Sequence, residues 1–118
     1  MNFDEYQQWA KTKWSVPDDQ PDMMHLCAAS MGLAGETGEL IDQLKKVVFH
    51  GHPVDDALRT KLIKEAGDVL YYYAILLDVI GVNFDEVMQA NVKKLNERYP
   101  RGFETSRSIQ RPEGGGLT

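Results

Sequence analysis

Apolar residues recur along most of the chain in steps of three and four, the spacing of one face of an α-helix, and no stretch alternates as a strand would. Phe3 to Trp14 reads as a short amphipathic helix, closed by SVPDDQPD, where Pro17 and Pro21 forbid regular continuation. A second helix opens near Asp22. It runs through Leu26, Ala29, Leu33, Glu36, Leu40, Leu44 and Val47 and stops at HGHP, where Gly51 and Pro53 are both breakers. The third carries Leu58, Leu62, Glu65, Val69, Tyr73, Leu76 and Ile80 and ends at Gly81. A fourth, capped by Asn83 or Asp85, extends to about Arg98, ahead of Pro100. The remainder, RGFETSRSIQRPEGGGLT, lacks any period. The pattern predicts one all-α domain over residues 1–103, a four-helix, bundle-like fold with a short N-terminal helix, and an irregular C-terminal tail over 104–118.

Two glutamates break this pattern from within. Glu36 and Glu65 occupy the apolar stripes of the second and third helices, where an unpaired charge is costly. Three residues on, and therefore on the same faces, stand Glu39 and Asp68. The short HGHP link folds the two helices into an antiparallel hairpin, and the pairs Glu36/Asp68 and Glu39/Glu65 are both centred on residue 52, inside that turn. Four carboxylates thus meet midway along the hairpin, and their repulsion would raise their pKa values unless a divalent cation stood between them. All-oxygen ligation selects a hard ion, magnesium or manganese. Iron of the ferritin-like kind would need histidine three residues after each glutamate, and those places hold Glu39 and Asp68.

Gly32, Gly35 and Gly38 recur through the same helix although each interior glycine costs about 1 kcal/mol relative to alanine. With Gly67, they are expected to clear bulk from the carboxylates or to admit a close neighbour. His25, His50 and His52 are read as structural or surface residues. Cys27, beside Leu26 and Ala28, is read as a small core residue, and Trp9 and Trp14 as core or interface anchors.

Composition narrows the partners. The chain has 118 residues, 42% hydrophobic and 26% charged, with a net charge of −5 that argues against a nucleic-acid polymer. A small phosphorylated ligand remains compatible if a metal carries the positive charge. No apolar run approaches the roughly 20 residues that span a bilayer, and MNFDEYQQWAK is no secretory leader, so a cytoplasmic protein without membrane contact is expected. The third helix bears a second apolar stripe, Ile63, Leu70 and Leu77, more than a monomeric bundle requires, which predicts a homo-oligomer.

GETGEL followed by KEAGDVLYY resembles the MazG-like, all-α nucleoside triphosphate pyrophosphohydrolases, whose signature is E-E-x-x-E followed by E-x-x-D on the next helix. The likeness runs from GLAGETGEL to NVKKLNERYPRGF, with one departure: Gly35 holds the first glutamate position. The resemblance implies a MazG-type fold, a homodimer or homotetramer, and Glu36, Glu39, Glu65 and Asp68 as magnesium ligands. The implied reaction is hydrolysis of a nucleoside triphosphate, often a deoxynucleotide, between its α- and β-phosphates, to monophosphate and pyrophosphate. Glu36 or Glu39 would orient or deprotonate the attacking water. Positive charge is expected from Lys45 or Lys46 and from Lys94, and by mirroring about the turn near residue 82, Asn91 and Lys94 come close to the level of Tyr71 to Tyr73. The family's asparagine and lysine contacts with the nucleotide map onto Asn91 and Lys94, and Tyr72, four after Asp68, is the tyrosine placed in the pocket. The competing expectation is a non-catalytic helical module that binds metal or nucleotide without turnover.

Overall fold

The computed structural model describes residues 1–110 and is all-helical, with no strand among them. The helices are α1 (Phe3–Lys11), α2 (Asp22–His50), α3 (Asp56–Val79), α4 (Phe84–Arg98) and α5 (Thr105–Ile109). They fall into two compact units, Met1–Phe84 and a second that begins at Asp85. Among the described residues no single helix is long and apolar enough to cross a membrane.

Local chemistry sets the boundaries. The Asn2 side chain accepts from Glu5 N–H (2.8 Å) at the start of α1, and Asp55 does the same for Leu58 N–H (2.9 Å) at the start of α3. α1 stops at Lys11, short of the expected Trp14. There Thr12, Lys13 and Trp14 bond three residues back, to Trp9, Ala10 and Lys11, and wind the helix down. α2 ends at Gly51, left-handed at φ 70°. α3 closes with the paired bonds Gly81 N–H to Asp78 and Val82 N–H to Leu77, which require the left-handed Gly81 (φ 82°). α5 replaces part of the expected irregular tail, because five residues are too few to display a helical period. The expected irregular run at 111–118 lies outside the described residues.

In the first unit α2 and α3 form the antiparallel hairpin and α1 packs on α3. Ala10, Ala29, Ala74, Ile75, Leu77 and Phe84 are buried. Ile75, Leu77 and Phe84 each contribute about 1.5–3 kcal/mol of burial. Gln7, 2% exposed, docks α1: its Nε2 donates to the carbonyls of Ala74 (3.2 Å) and Val82 (3.0 Å). The Phe84 N–H donates to Asp4 Oδ1 at 3.0 Å, so α1 also caps the first residue of α4. Around the hairpin turn several apolar residues face outward among polar ones: Ile41, Leu44, Val48, Phe49 (78% exposed), Val54 and Ile63 (62%). Leu44 therefore leaves the core stripe expected of it. In the second unit Arg98 lies over the Tyr99 ring, which packs on Phe103.

Candidate functional site

The middle of the α2–α3 hairpin gathers the predicted carboxylates. Oxygens of Glu36, Glu65 and Asp68 all lie within 4.8 Å of one another. Glu39 stands outside that triangle but within hydrogen-bonding reach of both Glu36 and Glu65. Two carboxyl groups make such a contact only with a proton or a cation between them. Burial, then the charges of Glu39 and Asp68, holds the Glu36 carboxyl above the usual carboxylate range. Burial, then Glu39 and Asp68, raises Glu65 as well, against a smaller opposing pull from Lys61.

A divalent metal ion fits this donor set. Oε2 of Glu36 and Oε2 of Glu65 are buried with no hydrogen-bond partner among the described residues, and a buried carboxylate oxygen left so is costly. Acceptors of this kind call for a cation, and oxygen donors alone suit a hard one.

One turn from the cluster a tyrosine ring of α3 sits against a glycine of α2. Gly32 precedes Glu36 by four residues and Tyr72 follows Asp68 by four, and a Cβ at position 32 would overlap the Tyr72 ring. The expected close approach is thus found at Gly32. At Gly35, Gly38 and Gly67 an added Cβ meets nothing within 4 Å among the described residues, so no intramolecular contact requires glycine there. Tyr72 lies edge-on to Tyr71 (centroids 5.2 Å, 78°) and to Trp14 (6.2 Å, 81°). The Trp14 indole N–H donates to His25 Nδ1 at 2.9 Å, which makes His25 a structural residue and ties the end of the α1 segment to α2. Trp14 is half-buried in this aromatic cluster, whereas Trp9 is largely exposed and pairs with Tyr6.

Other predicted residues lie elsewhere. Lys45 and Lys46 both bind Asp42, at 3.1 and 3.2 Å, and those bonds hold the Asp42 carboxyl below its usual range. Asn91, exposed, and Lys94, half-buried, belong to the second unit. Cys27 is exposed, not in the core: one residue, about 100° of helix, separates it from the Leu26 side of α2. Tyr6 is a neighbour that sequence reasoning missed. Burial pushes its phenol up and the Asp68 carboxylate adds to the effect, so α1 brings a tyrosine toward the acidic cluster. The only signal for it was the amphipathic pattern of α1, which does not say what that helix docks on.

A family model described as the MazG nucleotide pyrophosphohydrolase domain matches residues 28–103, a stretch that contains all four acidic residues. The Gene 37 protein of Mycobacterium phage L5 is 37% identical over 78 residues, 65% of this chain and 68% of its own length. The Bacillus subtilis (strain 168) protein YvdC, described as uncharacterized, is 44% identical over 41 residues, 35% of this chain and 39% of its own. No solved structure gives a significant match. A helical hairpin whose facing acids leave two buried oxygens in need of a cation, within a match that spans most of the sequence, leads to one assignment: this chain belongs to the MazG nucleotide pyrophosphohydrolase domain family.

Proposed function

We propose that the chain is a magnesium-dependent enzyme that cleaves a (deoxy)nucleoside triphosphate between its α- and β-phosphates, releasing the monophosphate and pyrophosphate. The observation that carries this reading is the pair of orphaned oxygens, Glu36 Oε2 and Glu65 Oε2, among facing carboxylates. Glu36, Glu65 and Asp68 hold the ion, with Glu39 as the fourth ligand. Magnesium, or manganese in its place, supplies positive charge to the phosphate oxygens and a more acidic bound water. Glu36 or Glu39 orients the attacking water and takes its proton. Because every donor in the cluster is anionic, the cluster by itself repels a triphosphate, and cationic side chains must complete the site. Lys45 and Lys94 are assigned to the phosphates and Asn91 and Tyr72 to the rest of the nucleotide. The outward apolar residues around the hairpin turn, Val48, Phe49, Val54 and Ile63 among them, suit a second copy of the chain, as a homodimer or within a homotetramer.

The test is pyrophosphate release from a panel of ribo- and deoxyribonucleoside triphosphates with and without magnesium. Metal-dependent release from at least one of them is expected. Release from none would overturn the enzyme and leave a helical module that binds without turnover.

A further inference from the structure

We propose that the Tyr72 ring seated on Gly32 is a spacer that sets the width of the carboxylate cage and thereby its preference among divalent ions. The inference rests on the reading of the cluster as a divalent-ion site and adds a positioning pair to it. Gly32/Tyr72 occupies the next rung of the ladder formed by Glu36/Asp68 and Glu39/Glu65, since all three pairs are centred on residue 52. At this rung the Tyr72 ring fills the place that a Cβ at position 32 would take. The ring is held in place: Tyr71 meets it edge-on at 5.2 Å, Trp14 at 6.2 Å, and Trp14 is itself fixed by its bond to His25 of α2. A methyl group at position 32 therefore acts on the helices, because the ring has little room to swing aside.

One turn away, the cage oxygens of Glu36, Glu65 and Asp68 lie within 4.8 Å of one another. Magnesium demands metal–oxygen distances of about 2.0–2.1 Å, whereas calcium accepts about 2.3–2.6 Å in a more flexible geometry. Glu36 lies on α2 and Glu65 and Asp68 on α3, so moving the helices apart lengthens the reach from one side of the cage to the other, and extra separation favours the larger ion. Gly38, where a would-be Cβ meets nothing within 4 Å among the described residues, provides the matched control on the same helix.

The experiment is calorimetric titration of the full chain with magnesium, manganese and calcium chlorides, with helicity followed by circular dichroism. The proteins are wild type, Gly32→Ala, Gly38→Ala, Tyr72→Leu and the double variant Gly32→Ala/Tyr72→Leu. Gly32→Ala is expected to shift the calcium-to-magnesium affinity ratio toward calcium by about fivefold or more, Gly38→Ala to leave it in place, and the double variant to return most of the shift. An unchanged ratio in folded Gly32→Ala, or an equal shift in Gly38→Ala, overturns the spacer. If Gly32→Ala does not fold, Tyr72→Leu decides: its ratio must move, and constancy overturns the proposal. Wild-type protein that binds none of the three ions would instead remove the metal cage itself, a result distinct from bound ions with an unaltered preference.

Discussion

Replacing Gln7 by methionine keeps the length and approximate volume of a fully buried side chain while removing both of its donated hydrogen bonds. The two carbonyls do not lose equally. Ala74 lies inside α3, where its carbonyl also has a helical partner four residues on, so the loss there is of a second bond. Val82 lies in the link after α3, and its carbonyl is left with a desolvation cost of about 1–3 kcal/mol. Gln7→Met should therefore lower unfolding free energy by about 1–3 kcal/mol, which at about 4 °C per kcal/mol for a chain of this size lowers Tm by about 4–12 °C. Gln7→Ala adds a cavity to the same loss and should cost about 3–5 kcal/mol in total. Urea denaturation followed by circular dichroism in chelator-treated buffer measures both. Because the four acids lie on the α2–α3 hairpin and Gln7 on α1, the increment of stability that magnesium adds should be the same in Gln7→Met as in wild type. A methionine variant within 0.5 kcal/mol of wild type, or an alanine variant no worse than the methionine one, would refute the argument.

Three further outcomes follow from the site. Glu65→Gln should abolish metal-dependent pyrophosphate release and the magnesium-induced rise in Tm together, while the metal-free protein is unchanged or stabilised; wild-type turnover would remove Glu65 from the ligand set. Glu36 and Glu65 hold their protons more tightly folded than unfolded, so the metal-free protein should lose stability as pH rises from about 4.3 through their raised native values. Excess magnesium, if the deprotonated acids bind it as proposed, should reverse that slope, and thermal scans from pH 4.5 to 7.5 with and without the ion read both trends. Lys94→Ala should lower kcat/KM by a similar factor for all accepted nucleotides and Asn91→Ala should change their ranking, each by about 1–3 kcal/mol, with the opposite assignment reversing the proposed substrate orientation.

The acidic register was legible in the sequence because both of its ingredients are local. Helical spacing fixes which residues share a face, and a short turn with left-handed Gly51 leaves the second helix little choice but to run back along the first. Docking of α1 was not legible, because its anchor is Gln7, a polar residue that hydrophobic patterning assigns to the surface. Tyr6 was missed for the same reason. The role of Gly32 depends on Tyr72, a side chain on the other arm of the hairpin, and nothing local separates Gly32 from Gly35 or Gly38. Cys27 was misplaced by its apolar neighbours, since adjacent residues on a helix point about 100° apart. The attachment of Lys45 and Lys46 to Asp42 follows from spacings of three and four, but spacing alone does not say which neighbour a lysine side chain chooses.

The ladder of facing rungs also bears on how the chain reaches its fold. A hairpin closes from its turn outward, because loop entropy favours the contacts nearest the turn. On that basis the Glu39/Glu65 rung is expected to form before Glu36/Asp68, with Gly32/Tyr72 last. If the carboxylates meet before the aromatic seat beyond them can contribute, their mutual repulsion should slow closure of the hairpin. A divalent ion present during refolding should then speed closure by engaging the first rungs as they meet. Its signature is a faster refolding arm of the chevron, with smaller change in the unfolding arm, so that the ion acts on the rate of folding as well as on the finished protein.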